Sequence, residues 1–262
     1  MNYLESIFLG IIQGLTEFLP ISSSGHIEIS KALFDNNFSN QENLTYTIIL
    51  HFATALSTII FFRKDILEIF SSLFKKKCNE SHKFSVSILI SMIPAVFVGL
   101  LFEEKINSFF NGNLLLVGSM LIITGLILFV SDRVKPKSNT INFKNSFLIG
   151  LSQAIAILPG ISRSGATIAT AVIIGIDREK AARFSFIMVI PLIFGGMIKS
   201  LFFEDFSFEN FDIFSILLGF LSAFFTGILA CKWMILLVKK SKLYFFSIYC
   251  FAIGLFLILY TI

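Results

Sequence analysis

Two segments of this chain, residues 10–25 and 150–165, are versions of one motif placed 140 positions apart. The identities at that offset form the scaffold of the motif: Gly10/Gly150, Gln13/Gln153, Ile21/Ile161, Ser22/Ser162, Ser24/Ser164 and Gly25/Gly165. The ionisable residues are not repeated, because Ile157 stands opposite Glu17 and Ala166 stands opposite His26. A repeated scaffold with unequal chemistry predicts two copies of one unit that share a site at their interface.

The composition assigns the chain to the membrane. Hydrophobic residues make up 55% of it and charged residues only 15%, and the mean hydropathy is +0.85. These values exclude a water-soluble globular protein of this length. Apolar runs long enough to cross about 30 Å of hydrocarbon predict six spanning helices, near residues 44–62, 84–102, 112–131, 184–203, 212–231 and 243–261. Two further apolar stretches, 2–34 and 143–176, are interrupted by Pro, Gly and Ser, which is typical of re-entrant helical hairpins that line a cavity.

Basic residues lie in alternate connections between these segments. Lys and Arg concentrate near residues 63–83, 133–144, 178–183 and 232–242, whereas acidic residues dominate near 35–42, 103–104 and 204–212. The positive-inside rule places the first set in the cytoplasm and the second set outside, with both termini outside. Each half then has one hairpin and three spans, and an odd number of spans inverts the second half. We therefore predict an all-α polytopic membrane protein with an inverted-topology repeat. It forms a single integral membrane domain over 1–262, with repeats at about 1–131 and about 141–262.

Other features of the composition exclude further classes. The net charge of +4 follows from the basic excess on the inner face. The sequence has no basic patch with interleaved aromatic residues, so nucleic-acid binding is not expected. The N-terminal segment lacks the basic flank of a signal peptide and is expected to stay in the mature protein. The three cysteines, Cys78, Cys231 and Cys250, are scattered, which predicts neither a disulfide framework nor a thiolate metal site.

The first predicted hairpin carries an acidic residue at membrane depth. Glu17 follows Gln13 by four residues, so on a helix both side chains lie on one face. An intramembrane carboxylate needs a partner. In one interpretation Glu17 is structural and hydrogen-bonds to the other half. In the other it is a ligand for a divalent cation or a general base, with Gln13 as a neutral oxygen donor.

Both hairpin tips are rich in groups that bind phosphate. The three consecutive serines at 22–24 exceed what one helix cap needs, and together with the free N–H groups of a helix start they suit an anion. The second tip repeats this pattern and adds Arg163. This arginine is either an ion-pair partner of Glu17 or a bidentate clamp for a phosphoryl group.

The histidines differ in their context. His26 lies two residues beyond Ser24 and is either a hydrogen-bonded core histidine or an acid/base in phosphoryl transfer. His51 stands in a predicted span with no motif around it, and His82 lies in a basic loop. We assign a direct role to neither of these two.

Residues 13–26 and 159–167 together resemble the two hallmark motifs of the bacterial undecaprenyl-diphosphate phosphatases, a family also called the bacitracin-resistance proteins. The resemblance extends over the whole chain in length, number of segments and motif spacing. It implies a multi-pass enzyme of the cell inner (plasma) membrane whose active site faces the outer side. The implied reaction hydrolyses undecaprenyl diphosphate to undecaprenyl phosphate and inorganic phosphate. That reaction recycles the lipid carrier for peptidoglycan synthesis, cell-wall biogenesis and cell shape, and it confers bacitracin resistance.

The resemblance also implies residue roles, carried over by position. Glu17 is the acidic residue of the first motif and a metal ligand, and Ser23 is a candidate nucleophile or phosphate ligand. His26 is the acid/base, and Arg163 is the phosphate clamp. The implied substrate-binding residues are the other polar and small residues of the motifs: Gln13, Ser22, Ser24, Gly25, Ser162, Ser164, Gly165 and Thr167.

The implied cofactor is a divalent cation, Mg²⁺ or Ca²⁺, and the implied partners are a polyprenyl diphosphate lipid and the bilayer, without nucleic acid. Gln13 occupies a position where the family has Glu or Gln, so this chain has one carboxylate there. A homodimer is one candidate assembly, and the sequence leaves the oligomeric state open. It also leaves open whether Ser23 or a metal-activated water attacks the phosphorus.

Inverted repeats with broken helices also characterise secondary transporters. A lipid-phosphate flippase or secondary transporter is therefore the alternative function, and a structural membrane scaffold is a more distant one. The Glu, Ser, His and Arg residues at the two tips favour an enzyme, because this set is complete for phosphoryl transfer whereas a transporter needs only binding groups.

Overall fold

The computed structural model describes residues 3–34, 40–73, 80–110, 112–135, 139–203, 212–240 and 242–261. This part of the chain is helical and contains no strand, although Asn139 and Ile176 form an isolated bridge. The helices are α1 Tyr3–Phe18, α2 Ser23–Phe34, α3 Asn40–Phe61, α4 Arg63–Leu73, α5 Glu80–Leu101, α6 Glu103–Ser108, α7 Leu114–Arg133, α8 Phe143–Ile155, α9 Arg163–Ile173, α10 Arg178–Phe203, α11 Ile213–Lys239 and α12 Leu243–Thr261. Parts of the predicted acidic and basic connections, together with Cys78, lie outside the described residues.

The helices that could cross a membrane match the predicted apolar segments. Among the described residues, α5, α7, α10, α11 and α12 are each long and apolar enough to span. A sixth candidate is the pair formed by α3 and α4, which is bent by 81°. Several helices extend beyond the predicted bounds, most of all α10, which begins at Arg178, and α11, which continues to Lys239. Charged residues are tolerated in such end turns because long side chains reach the membrane–water interface.

The outer surface of the spans is apolar. On α11, Leu217, Leu221, Phe225 and Leu229 recur every four residues and are all exposed. A stripe of this kind would be an aggregation-prone patch on a water-soluble protein, whereas in a bilayer it contacts acyl chains. The chain is therefore an integral membrane protein.

Two short breaks, at residues 19–22 and 156–162, separate α1 from α2 and α8 from α9. Pro20 lies in the first break and Pro159 in the second, and proline cannot continue a helical hydrogen-bond ladder. Gly160 adopts a φ of 94°, which side chains with a Cβ rarely adopt. A Cβ at this position would also lie 2.5 Å from the carbonyl oxygen of Val117 on α7. The breaks therefore have causes in the sequence, and both bring irregular backbone into the interior of the helix bundle.

Glycines at equivalent motif positions allow close helix packing. A Cβ at Gly10 would lie 2.9 Å from the Cβ of Ser222 on α11, and one at Gly150 would lie 3.0 Å from the Cα of Ser91 on α5. Accordingly, α1 packs mainly against α11, and α8 packs mainly against α5. The Gly10/Gly150 identity is thus explained by the close approach of two helix pairs, which small residues permit in membrane proteins.

Candidate active site

The two broken segments touch at their tips. A Cβ added to Gly25 would lie 3.3 Å from the Cα of Gly160, and one added to Gly165 would lie 3.2 Å from the Cβ of Pro20. Positions 20 and 160 are equivalent in the repeat, as are positions 25 and 165. The contact between the tips is therefore pseudo-symmetric, and each motif contributes the same two positions to it.

A serine caps the helix that leaves each tip. The Ser22 hydroxyl oxygen accepts from the Gly25 N–H at 3.2 Å, and the Ser162 hydroxyl oxygen accepts from the Gly165 N–H at 3.0 Å. The backbones of the caps differ, with φ at 71° for Ser22 and −74° for Ser162. Ser22 thus adopts a conformation that is uncommon for a residue with a Cβ, directly before Ser23, and such strain is frequent at functional sites.

The serine two residues after each capping serine stays close to it. The hydroxyl oxygens of Ser22 and Ser24 are 3.3 Å apart, and those of Ser162 and Ser164 are 3.2 Å apart. Ser164 also lies 3.2 Å from the carbonyl oxygen of Leu19, to which its hydroxyl donates across the contact between the tips. The Ser22/Ser162 and Ser24/Ser164 identities therefore have a common structural basis in the two tips.

A hydrogen-bonded cluster surrounds the Glu17 carboxylate, which is buried at the end of α1. Ser23 Oγ donates to Oε2 at 2.8 Å, and Gln13 Nε2 donates to the same oxygen at 3.1 Å. His51 Nδ1, on α3, lies 3.3 Å from Oε2 and 2.9 Å from Gln13 Nε2. The other carboxylate oxygen, Oε1, accepts from Arg163 Nη2 at 2.5 Å. The arginine of the second motif thus meets the carboxylate of the first.

Further contacts hold Arg163 in place. Its Nη1 donates to the Ser185 carbonyl on α10 at 3.0 Å. Thr167 Oγ1 donates to the Arg163 carbonyl at 2.8 Å and lies 2.6 Å from the Ser185 hydroxyl oxygen. Thr167 therefore braces the start of α9 and the helix beside it, and the guanidinium is fixed next to the Ser23–Glu17 pair.

His26 has partners other than Glu17 and Ser23. Its Nδ1 lies 2.8 Å from the Ser22 carbonyl oxygen, and its Nε2 lies 2.8 Å from the Tyr249 hydroxyl oxygen on α12. The rings of His26 and Tyr249 are stacked, with centroids 5.6 Å apart. The acid/base role of His26 stays a prediction, and the structure does not bring this ring to the carboxylate cluster.

His51 is the histidine beside Glu17, although sequence reasoning assigned it no role. His51 lies outside both motifs, and only the position of α3 in the fold brings it next to the carboxylate cluster. The signal that could have identified it is an ionisable residue within a predicted span, since such residues are costly and usually face a polar interior.

A cavity of about 1050 Å³ joins these groups. Some of the predicted site residues line it: Glu17, Ser23, Ser24, Ser162, Arg163 and Ser164. The other predicted site residues are not part of that lining: Gln13, Ser22, Gly25, His26, Gly165 and Thr167. The lining also includes residues that were not predicted as site residues, among them His51 and Gln153. The cavity therefore draws on both tips and on the helices packed around them.

The cluster can hold a cation only together with other ligands. The described residues contain no group of three or more His, Cys, Asp or Glu side chains that could hold a metal ion. Gln13 Oε1 is buried and has no hydrogen-bond partner in the described structure, so it is a free oxygen donor beside the Glu17 carboxylate and Ser23. Mg²⁺ is commonly bound by one or two carboxylates plus substrate phosphates and waters. The residues present fit that mode of binding.

The fold and the site together define a class: an integral membrane protein whose two broken helical segments enclose a cavity that contains a serine–carboxylate pair and an arginine. The chain belongs to the family described as "Bacitracin resistance protein BacA", whose model matches residues 6–256. Relatives of similar length carry the name undecaprenyl-diphosphatase. The protein of Christiangramia forsetii is 55% identical over 100% of this chain and 99% of its own length. That of Bacteroides thetaiotaomicron is 46% identical over 97% of each chain. That of Methanococcus vannielii is 40% identical over 98% of this chain and 100% of its own.

Proposed function

We propose that this chain hydrolyses undecaprenyl diphosphate to undecaprenyl phosphate and inorganic phosphate, and thereby recycles the lipid carrier of peptidoglycan synthesis and confers bacitracin resistance. Family membership and the name of its relatives support this reaction. The observation that carries it is the Ser23 hydroxyl, which donates to Glu17 at 2.8 Å while Arg163 pairs with the same carboxylate. A nucleophile, a base and a phosphate-binding cation then lie within one cavity.

The proposed architecture is one domain built from an inverted repeat, with repeats at about 1–131 and about 141–262 as the sequence predicts. Under this repeat α1 corresponds to α8 and α5 corresponds to α11. The observed packing of α1 on α11 and of α8 on α5 supports it, because a pseudo-twofold axis exchanges these two pairs. The packing of α7 on α12 fits the same axis, since those helices are also equivalent.

The proposed site opens toward the outer side of the plasma membrane. From the tips, the cavity continues to Lys31, near the end of the first hairpin, and to Glu104, in a connection that the positive-inside rule assigns to the outside. The pairs Arg178–Asp132 and Lys239–Glu179 belong to the connections assigned to the cytoplasm, which supports one common inner end for them. A lysine at the mouth also favours entry of an anionic headgroup.

The first proposed step transfers the terminal phosphoryl group to Ser23. As Ser23 Oγ bonds to the terminal phosphorus, its proton passes to Glu17, and the bond from that phosphorus to the bridging oxygen breaks. Undecaprenyl phosphate leaves with the bridging oxygen and its electron pair. Glu17 is proposed as the base because the Ser23 hydroxyl already donates to it.

The second proposed step hydrolyses the phosphoserine. Glu17 first releases its proton to water in the cavity and then accepts a proton from the attacking water. The bond between phosphorus and Ser23 Oγ breaks, inorganic phosphate leaves, and the proton on Glu17 returns to Ser23. Arg163 neutralises phosphoryl charge in both steps, where fixed positive groups are most effective.

A divalent cation bound in this site would neutralise charge on the diphosphate. Glu17, Gln13 and Ser23 are the residues proposed to hold it, with phosphate oxygens and waters as further ligands. The lipid tail is proposed to lie along the apolar part of the cavity wall, which includes Ile48 of α3 and Leu192 and Ile193 of α10. A polyprenyl chain stays in the bilayer, so this wall is its route out of the site.

The test is release of inorganic phosphate from undecaprenyl diphosphate by the purified protein in detergent. We expect release from the unaltered chain and loss of at least about 10²-fold in Glu17→Ala and Ser23→Ala. Ser119→Ala is the matched control, because its hydroxyl donates to Leu115 within α7 and is not part of the cavity lining. Absence of release from well-folded unaltered protein would contradict the function and favour a lipid-phosphate carrier. Full activity of Ser23→Ala would favour a metal-activated water.

A further inference from the structure

Gln153, at the end of α8, is a buried amide without a partner. The residue is 1% exposed, and neither Nε2 nor Oε1 of its side chain has a hydrogen-bond partner in the described part of the chain. Buried amides are nearly always hydrogen-bonded, since an unsatisfied donor or acceptor loses its interaction with water and gains nothing. Such an exception requires an explanation.

The repeat explains why the amide is left unpaired. Gln13, the equivalent residue of the first motif, donates to Glu17 four residues later. Ile157 occupies the position four residues after Gln153 and offers no acceptor. The amide N–H of Gln13 is therefore hydrogen-bonded in the first half, whereas that of the equivalent Gln153 is unpaired in the second half.

The residue that carries the unpaired amide belongs to the wall of the site. Gln153 lines the same cavity as Ser162, Arg163 and Ser164 of the second tip and as Ser23 of the first. The cavity is the place where a ligand with hydrogen-bonding oxygens would reach it. Unsatisfied polar groups of this kind are retained at binding sites because the ligand satisfies them.

We propose that Gln153 is a substrate-binding residue whose Nε2 donates to an oxygen of the phosphate that carries the lipid, an assignment that rests on the proposed phosphatase function. Ser23 takes the terminal phosphorus in that function, so the terminal phosphate is held at the first tip. The second phosphate then falls to the second tip, where the Gln153 amide is the unpaired neutral donor, whereas the Ser164 hydroxyl already donates to Leu19. The two tips divide the diphosphate between them.

This division accounts for the asymmetry of the two motifs. The first motif pairs its glutamine with a carboxylate and performs the proton transfer, whereas the second lacks that carboxylate. A carboxylate at position 157 would add repulsion toward the phosphate without a proton transfer to perform there, whereas at the first tip Glu17 accepts the Ser23 proton. Selectivity for a diphosphate over a monophosphate follows, because only a diphosphate occupies both tips.

The experiment compares Gln153→Met with the unaltered protein, since methionine has a similar shape and no strong hydrogen-bonding group. We expect KM for undecaprenyl diphosphate to rise by about tenfold or more, because a hydrogen bond to a charged group is worth at least that factor in affinity. We expect kcat to change less than KM. Inhibition by undecaprenyl phosphate should weaken by the same factor, whereas inhibition by inorganic phosphate should not change.

Thermal unfolding without substrate separates binding from a structural role. An unpaired buried amide costs free energy, so Gln153→Met is expected to unfold at the same temperature as the unaltered protein or higher. Ser152→Ala is the matched control, since the Ser152 hydroxyl donates to Ile149 within α8 and is not part of the cavity lining. Its kinetic constants are expected to remain unchanged.

Distinct outcomes would overturn the inference. An unchanged KM in an active Gln153→Met variant would mean that the amide is bound only by water. A lower unfolding temperature with an unchanged KM would make it a structural group. If only the inhibition by inorganic phosphate became weaker, Gln153 would bind the terminal phosphate. That result would contradict the placement of the lipid-bearing phosphate at the second tip. Failure of the proposed function is distinguished from all of these, because the unaltered protein would then release no phosphate.

Discussion

Arg163 of the second motif and Glu17 of the first form an ion pair, with Nη2 2.5 Å from Oε1, although 146 residues separate them in the sequence. The pair crosses the junction of the two tips, so neither half contains a complete site. A guanidinium has five N–H donors, and the contacts to Glu17 and to the Ser185 carbonyl each engage only one of its terminal nitrogens. The same side chain can therefore hold the tips together and bind a phosphoryl oxygen.

The two roles of Arg163 can be separated by variants. Arg163→Ala is expected to lower kcat by about 10³-fold or more, because an arginine that neutralises phosphoryl charge is worth that factor. It is also expected to lower the unfolding temperature, since Glu17 loses its charged partner. The double variant Arg163→Ala/Glu17→Gln is expected to recover stability without activity. Phosphate release and thermal unfolding in detergent measure these effects. Full activity of Arg163→Ala would contradict the phosphate-binding role and restrict Arg163 to its ion pair with Glu17.

Ser22 is expected to act mainly through the fold. Ser22→Ala leaves the Gly25 N–H without its acceptor and should lower the free energy of unfolding by about 1 kcal/mol, as for other helix caps. We expect kcat to stay within about tenfold of the unaltered value, because one neutral hydrogen bond contributes about 1 kcal/mol. Thermal unfolding and phosphate release on one preparation test this. A large loss of kcat with unchanged unfolding would instead support the predicted role of Ser22 in substrate binding.

His26 and Glu17 are expected to differ in their importance for proton transfer. His26→Gln should keep the rate within about tenfold, since both ring nitrogens are engaged by Ser22 and Tyr249 rather than by Ser23. Glu17→Gln should lose at least about 10²-fold, which is the usual contribution of a positioned base. The comparison requires only initial rates at saturating substrate. A loss of about 10²-fold or more in His26→Gln would return the acid/base role to that histidine.

The requirement for a divalent cation is expected to depend on Gln13. A chelator should stop phosphate release, and added Mg²⁺ should restore it. Gln13→Leu removes the oxygen Oε1, which is buried without a partner in the described structure, and should raise the Mg²⁺ concentration that gives half-maximal rate. Activity that persists at full rate in the chelator would contradict the proposed cation.

Helix packing through small residues is tested by one matched pair of substitutions. A Cβ at Gly14 would lie 2.6 Å from the Ala223 carbonyl oxygen on α11, whereas at Gly99 on α5 it would meet nothing within 4 Å. Gly14→Ala is therefore expected to cost about 1–3 kcal/mol of stability through overpacking. Gly99→Ala is expected to be neutral or slightly stabilising. Thermal unfolding of both variants measures the difference in stability. Equal unfolding temperatures of Gly14→Ala and Gly99→Ala would contradict the close packing of α1 on α11.

The sequence predicted much of this architecture because its signals are local or periodic. Hydropathy identified six apolar segments, which the described helices confirm as five candidate spans and one bent pair. Proline and glycine identified the two broken segments. The identities between the motifs are now explained by packing at Gly10 and Gly150 and by capping at Ser22 and Ser162.

The remaining features depend on contacts between distant segments. His51 lies in a span without a motif, and only the packing of α3 brings it to Glu17. The place of His26 beside Tyr249 likewise requires α12, which follows it by more than 200 residues. Gln153 was visible as a repeated residue, but its lack of a partner follows from three-dimensional surroundings that no local pattern encodes.

Ser23 is proposed to attack the terminal phosphorus and to form a phosphoserine. The most direct measurement is the stereochemical course at that phosphorus, using undecaprenyl diphosphate whose terminal phosphate is made chiral with sulfur and oxygen isotopes. Two successive in-line displacements, first by Ser23 and then by water, predict net retention of configuration. Net inversion would indicate a single displacement by water and would contradict Ser23 as the nucleophile.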